Sequence, residues 1–369
     1  MTRKPPSSKT EYPRRLDRFA GLLERKQLDA FLVYDRHHTF YLTGQRFSLS
    51  YLFVTPRESV LFVDGRYIEA ARASVSHCDV RLMKQQRRDF QAWYRRFQPT
   101  SIGFEGNTPW TVLMNWRGML DQVEWIEAGE LLADMRQVKS AFERDRIERS
   151  ARMTDRIFEH AIGSLRPGMT EWEVRNSIRA EADRLGAEGL SFDCVVASGP
   201  MTSRPHARPS NRSLGAGELL LIDLGVIYQG YCSDMTRVVA LGRKPGRRLC
   251  RAYDVVLAAQ QAALEAVKPR IGCAQLDAIA RERIKANRLG RYFTHGLGHG
   301  VGLDIHEPPV LNARSRQVLR PGMVITIEPG VYIPGLGGVR IEDLVLVTSK
   351  GHRILSKSPK HLRVVPWCE

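Results

Sequence analysis

Asp223, Asp234, Glu328 and Glu342 stand inside or directly beside runs of residues that favour buried strands. Asp223 follows ELLLI, Asp234 closes GYCSD, Glu328 follows MVITI, and Glu342 interrupts VRIEDLVLV. Burying an ionised carboxylate alone costs several kcal/mol, and the escapes are protonation, an arginine partner or a metal. One such residue is usually half of an ion pair. Four, spread over separate strand-like segments of one chain, call for a fold that gathers and neutralises them. Their summed charge matches two divalent cations.

The stretch HGLGHGVGLDIHE, residues 295–307, lies between the second and third of these carboxylates and holds three histidines and four glycines. The glycines let the backbone pack tightly beneath large imidazoles. It is no HExxH helix, because Val310 stands where the second histidine would, and it contains no GxGxxG. Oxygen donors with one imidazole suit Mn²⁺, Co²⁺, Fe²⁺ or Zn²⁺ rather than a thiolate site. Spacing alone does not decide whether His295 or His299 is that imidazole. Cys78, Cys194, Cys232, Cys250, Cys273 and Cys368 are scattered with no CxxC pair, so they read as reduced thiols.

A chain of 369 residues accommodates two domains. From 14 to 130 an amphipathic helix (RRLDRFAGLLERKQ) and the strand-like DAFLVYD, YLFVTP and VLFVDG precede a helical RYIEAARASV. This alternation is an α/β pattern with its own small core. A long charged helix near Val138 opens a second block, which continues through TEWEVRNSIRAEADRLG. It then becomes strand-rich, interrupted by helices at about 251–267 and 274–286. The boundary falls near 130–138, giving domains of 1–132 and 138–369.

No run of about eighteen apolar residues predicts a membrane span, and the basic N-terminus has no apolar core behind it, so a cytoplasmic protein is expected. The formal charge of +16 raises the question of nucleic acid. The basic clusters at 84–97 and 242–251 do not alternate with aromatic residues as a stacking platform would. Acids interleave the next basic stretch, KSAFERDRIERSARMTDR, at helical spacing, as on a solvated helix face. Nucleic acid is therefore not expected as a partner.

Taken in order, Asp223, Asp234 eleven residues on, His299, Glu328 and Glu342 resemble the dinuclear site of the pita-bread metallopeptidases. That family includes methionine aminopeptidase, aminopeptidase P and prolidase. The neighbouring text IDLGVIYQGYCSDMTRVV, HGLGHGVGLDIHEPP and LRPGMVITIEPGVYIPGLGGVRIED is similar as well. SGPMTSRPHARP resembles the family loop that bears a catalytic histidine. FYLTGQRFSLSYLFVTPRESVLFVDGRYIEAA resembles the N-terminal domain of the proline-specific branch, a domain of about 130 residues that methionine aminopeptidase lacks.

The resemblance implies an α/β (α+β) protein: a small α/β creatinase-like N-terminal domain, then a pita-bread domain whose curved, mainly antiparallel sheet is flanked by helices. It implies two divalent ions, Mn²⁺ foremost, with a bridging hydroxide as nucleophile. Asp234, His299, Glu328 and Glu342 would hold one ion and Asp223 the other, Asp234 and Glu342 bridging the pair. Glu328 would also shuttle the proton, and His206 would stabilise the oxyanion. His306 would contact the substrate near the scissile bond, His295 would line the pocket wall, and Tyr332 and Arg340 would stand around the proline pocket. The implied substrates are proline-containing peptides, and the implied assembly is a homodimer. Dipeptide-specific members often carry an arginine directly after HExP, where this chain has Val310. That favours an aminopeptidase P over an Xaa-Pro dipeptidase, unless Arg314 or Arg316 supplies the carboxylate clamp. Relatives that act without metal, or only bind, have lost ligands that are all present here.

Overall fold

The computed structural model describes residues 8–367, so Cys368 and the first seven residues of the basic N-terminus lie outside the described residues. The chain divides into two compact units, Met1–Arg136 and Gln137–Glu369. In the first, a six-stranded sheet runs in the order Asp79–Leu82, Ser59–Val63, Ser50–Val54, Ala30–Val33, Ser101–Phe104, Glu124–Glu127. The central strand Ala30–Val33 pairs antiparallel with Ser50–Val54 and parallel with Ser101–Phe104. Its aromatic core gathers Tyr51, Phe53, Phe62, Phe90, Trp93 and Trp116.

In the second unit, two four-residue signatures start the helices that flank the strands. Ser140 and Glu143 form a reciprocal capping box for Ala141–Gly163, and Thr170 and Glu173 do the same for Glu171–Arg184. The charged face of the first helix is laced by Arg149–Asp145 and Arg152–Glu148 pairs, as its spacing predicts. Helices Arg247–Ala266 and Cys273–Ala286 cover the opposite side.

The strand Leu219–Leu224 shows how this layering uses the sequence. Leu219 and Leu221 pack in the core shared with Arg247–Ala266 and Cys273–Ala286. Leu220, Ile222 and Leu224 pack in the core shared with Ala141–Gly163 and Glu171–Arg184. A strand covered on both faces is apolar at every position, so ELLLI is a continuous run rather than an alternation. Asp223 continues the Leu219–Leu221 face, opposite Thr236 of Met235–Leu241.

The second unit's main strands form a four-stranded ladder (Arg363–Val365, Met235–Leu241, Leu219–Leu224, Val195–Ser198) and a five-stranded one (Glu307–Leu311, Gly298–Gly300, Val324–Ile327, Asp343–Val347, His352–Ile354). Every pairing in them is antiparallel except that of Met235–Leu241 with Arg363–Val365. The single curved sheet expected from the sequence is thus divided into ladders rather than one continuous hydrogen-bonded surface. The two meet where Glu342 N–H donates to Thr236 O and where Arg237 is buried beside Asp343, 2.7 Å between charged atoms. Among the described residues no helix is long and apolar enough to cross a membrane. Cys78, Cys194, Cys232, Cys250 and Cys273 are free thiols.

Candidate active site

A cleft of about 850 Å³ opens in the second unit, and Asp223, Asp234, His299, Glu328 and Glu342 all line it, with His206, His295, His306 and Arg340. Each arrives from a different local device. Asp223 ends a covered strand, and Asp234 enters the next one beside Ser233, whose hydroxyl is held by Ser150 and Thr154 at 2.8 and 2.7 Å. His299 sits at a bulge in the pairing of Gly298–Gly300 with Glu307–Leu311. A bulge re-aims a side chain at the cost of one ladder position. Gly298 and Gly300 are required there, because a Cβ at either would collide with the backbone carbonyls of Thr326 or of Glu307 and Pro308.

Asp234, His299 and Glu342 each bring a ligand atom within 4.8 Å of the others. His299 Nε2 lies 3.6 Å from Asp234 Oδ2 and 3.3 Å from Glu328 Oε1. Thr326 Oγ1 donates to Glu328 Oε1 at 3.1 Å and accepts from the backbone N–H of His299, so one hydroxyl ties the Glu328 side chain to the His299 backbone. Thr236 Oγ1 likewise donates to Glu342 Oε2 at 2.7 Å and accepts from Arg340 Nε at 3.0 Å. Arg340 Nη2 meets Asp223 Oδ2 at 2.5 Å, while Asp223 Oδ1 is buried with no hydrogen-bond partner among the described residues. An orphaned carboxylate oxygen beside this mixed oxygen and imidazole donor set fits divalent cations.

The electrostatics agree with that fit. Burial, reinforced by the other carboxylates, pushes the Asp234 and Glu342 carboxyls well above the usual range. Burial also raises Asp223, against the pull of the Arg340 charge. Burial pushes Glu328 the same way, but the hydrogen bond and charge of His299 outweigh it and hold the carboxyl at about 2. His299 shows the converse: burial lowers it, and its contacts with Glu328 raise it above the ordinary imidazole value. Burial lowers both His295 and His306.

Residues 145–349 match the model of metallopeptidase family M24, and residues 15–138 match the creatinase/prolidase N-terminal domain. The chain belongs to metallopeptidase family M24. Its pita-bread unit follows a creatinase-type N-terminal unit, and it is a hydrolase. A relative named Xaa-Pro dipeptidase, from Pyrococcus furiosus, is 35% identical over 94% of this chain and 99% of its own. The solved Xaa-Pro dipeptidase from Bacillus anthracis superposes with a TM-score of 0.92 at 32% identity, covering 96% of this chain and 99% of that one. An X-Pro aminopeptidase from Thermotoga maritima superposes with a TM-score of 0.88 at 30% identity over 95% and 100%.

In this M24 chain the two histidines that spacing left equivalent are in different positions. His299 faces Asp234 and Glu328, whereas His295 Nε2 is 2.9 Å from the Tyr332 hydroxyl, whose oxygen also accepts from Arg340 Nη1 at 2.8 Å. Tyr332 is buried behind the cleft lining and touches two residues that do line it, His295 and Arg340. Burial pushes its phenol up to about 12. His306 and His206 are exposed at the cleft, with the His306 ring edge-on to His299 at 4.4 Å. Arg314 and Arg316 do not line it.

Three supports escaped the sequence reading. Buried Glu171 accepts from Ser198 N and Oγ and from Ser210 N and Oγ, tying both ends of the loop that carries His206. Lys139 forms a buried ion pair with Glu307, the residue that follows His306. Arg237 donates to the carbonyl of Glu342 while pairing with Asp343. Each is a charged residue in strand or helix text that reads as surface; only their partners, far away in sequence, show otherwise.

Proposed function

We propose that the chain is a metal-dependent exopeptidase that hydrolyses the bond preceding proline at the N-terminus of short peptides, Xaa-Pro dipeptides first among them. The observation that carries this reading is the convergence of Asp234, His299 and Glu342 on the floor of the cleft. Asp223, Asp234, His299, Glu328 and Glu342 would hold two divalent ions, Mn²⁺ foremost, with Co²⁺, Fe²⁺ or Zn²⁺ as the other fitting ions. Such ions supply Lewis acidity toward the scissile carbonyl and lower the pKa of water.

Glu328, oriented by His299 and Thr326, takes the proton of the attacking water and delivers it to the leaving proline nitrogen. His206, exposed to the cleft, donates to the oxygen that gains charge. His306 contacts the substrate on the same side, and His295, pinned by Tyr332, forms wall. Arg340 holds Asp223 in place and opposes the effect of burial on its carboxyl. An Xaa-Pro bond has no N–H and a fixed ring, so it suits an enclosed site better than one that pairs with an extended strand. The family resemblance adds a cytoplasmic homodimer to this reading.

The dipeptide preference is supported by the names of the Pyrococcus and Bacillus relatives. A second reading, an aminopeptidase P acting on longer peptides, is favoured by Val310, which stands 45% exposed at the cleft and offers no charge. The test is product release from Gly-Pro, Gly-Pro-Gly-Gly and Gly-Ala by protein loaded with each of the four metals. The expected order is Gly-Pro first and Gly-Ala last. Cleavage of the tetrapeptide alone supports the second reading, and no cleavage of either proline peptide overturns both.

A further inference from the structure

Three arginines line the cleft, and they differ in what they hold. Arg340 is fully committed, to Asp223, Thr236, Tyr332 and the carbonyl of Pro205. Arg175 lies over the Trp172 ring and within 4.0 Å of Asp193. Arg208 makes no hydrogen bond or ion pair with any described residue. A guanidinium facing a cavity with its donors unspent is a fork matched to a carboxylate.

Its backbone is held on both sides. The turn before it is closed by Ala207 N–H to Arg204 O, and Pro205 O accepts from Arg340 Nη1 at 3.2 Å. Ala207 is buried in the core. Pro209 confines the backbone of Arg208 to extended conformations, and Ser210 is anchored on Glu171. The loop backbone is thus ordered before an anion arrives, and the ordering that remains is that of the Arg208 side chain alone. Arg208 stands two residues from His206. His206 and Arg208 line the same cleft, so a peptide whose scissile carbonyl meets His206 occupies the cavity that Arg208 also borders.

We propose that Arg208 binds the free α-carboxylate of a dipeptide substrate and so sets the dipeptide preference of this chain. This rests on the Xaa-Pro reading above. Val310, Arg314 and Arg316 then have no part in the clamp.

The experiment compares kcat/KM for Ala-Pro with that for its C-terminal amide, Ala-Pro-NH₂, in the metal-loaded protein. The acid-to-amide ratio of the parent should exceed about ten, as a charge-assisted pair predicts. Arg208→Ala should lower that ratio at least tenfold, chiefly through KM for the acid, with Arg208→Lys intermediate and Arg208→Glu lowest. Arg314→Ala should leave the ratio within twofold. A parent ratio near one, an unchanged ratio in Arg208→Ala, or a collapse in Arg314→Ala overturns the clamp while leaving Xaa-Pro hydrolysis standing. Turnover of neither substrate by the parent overturns the Xaa-Pro reading, and the clamp with it.

Discussion

At the scale of the residue, the cleft floor is a problem in charge. Asp234 and Glu342 sit where burial and neighbouring carboxylates favour their protonated forms, and Asp223 leaves one buried oxygen unsatisfied. Such an arrangement is unfavourable for its own sake and becomes favourable when cations arrive. Asp234→Ala and His299→Ala should therefore abolish both metal binding and hydrolysis, read by metal content and by Gly-Pro turnover. Wild-type turnover with stoichiometric metal in either variant would refute the assignment. His206→Ala removes a donor and no ligand, so kcat should fall about 10²-fold with metal content unchanged. The carboxylates were legible because apolar strand text exposes an acidic residue at once. The division of work between His295 and His299 was not, since it depends on a bulge and on Tyr332, 37 residues away.

At the scale of the element, the site is built by what holds its loops. Glu171 begins a helix, where an acidic residue is expected for the helix dipole, yet it is buried and accepts four hydrogen bonds from the loop that carries His206. Glu171→Ala should cost about 3 kcal/mol by stranding those donors, measured by denaturant unfolding, and should lower kcat with it. A loss of activity without loss of stability would mean that Glu171 acts on the substrate instead. Gly298→Ala should be worse for folding than its small volume suggests, because the Cβ meets the Thr326 carbonyl. The helices and strands themselves were legible from capping boxes and from the ELLLI run. The separate ladders were not, because the Arg237–Asp343 contact that joins them spans 106 residues.

At the scale of the whole molecule, metal and pH are coupled. Carboxyls raised by burial mean that the metal-free fold binds more protons than the unfolded chain above the ordinary carboxylate range. Stability of the metal-free protein from these groups therefore falls as pH rises through that window. Metal must displace the same protons, so its stabilising effect grows with pH. The gain in Tm on adding Mn²⁺ should be larger at pH 8 than at pH 5.5 by scanning calorimetry. An equal gain at both would show that the site binds its ligand without releasing protons.

The most direct test of the central claim is a titration of chelated protein with Mn²⁺, following bound metal per chain and Gly-Pro turnover on the same samples. Turnover should be absent after chelation and rise with bound metal to a plateau at two ions per chain. Turnover that persists in the chelated protein, or two bound ions without turnover of any Xaa-Pro peptide, would contradict the account.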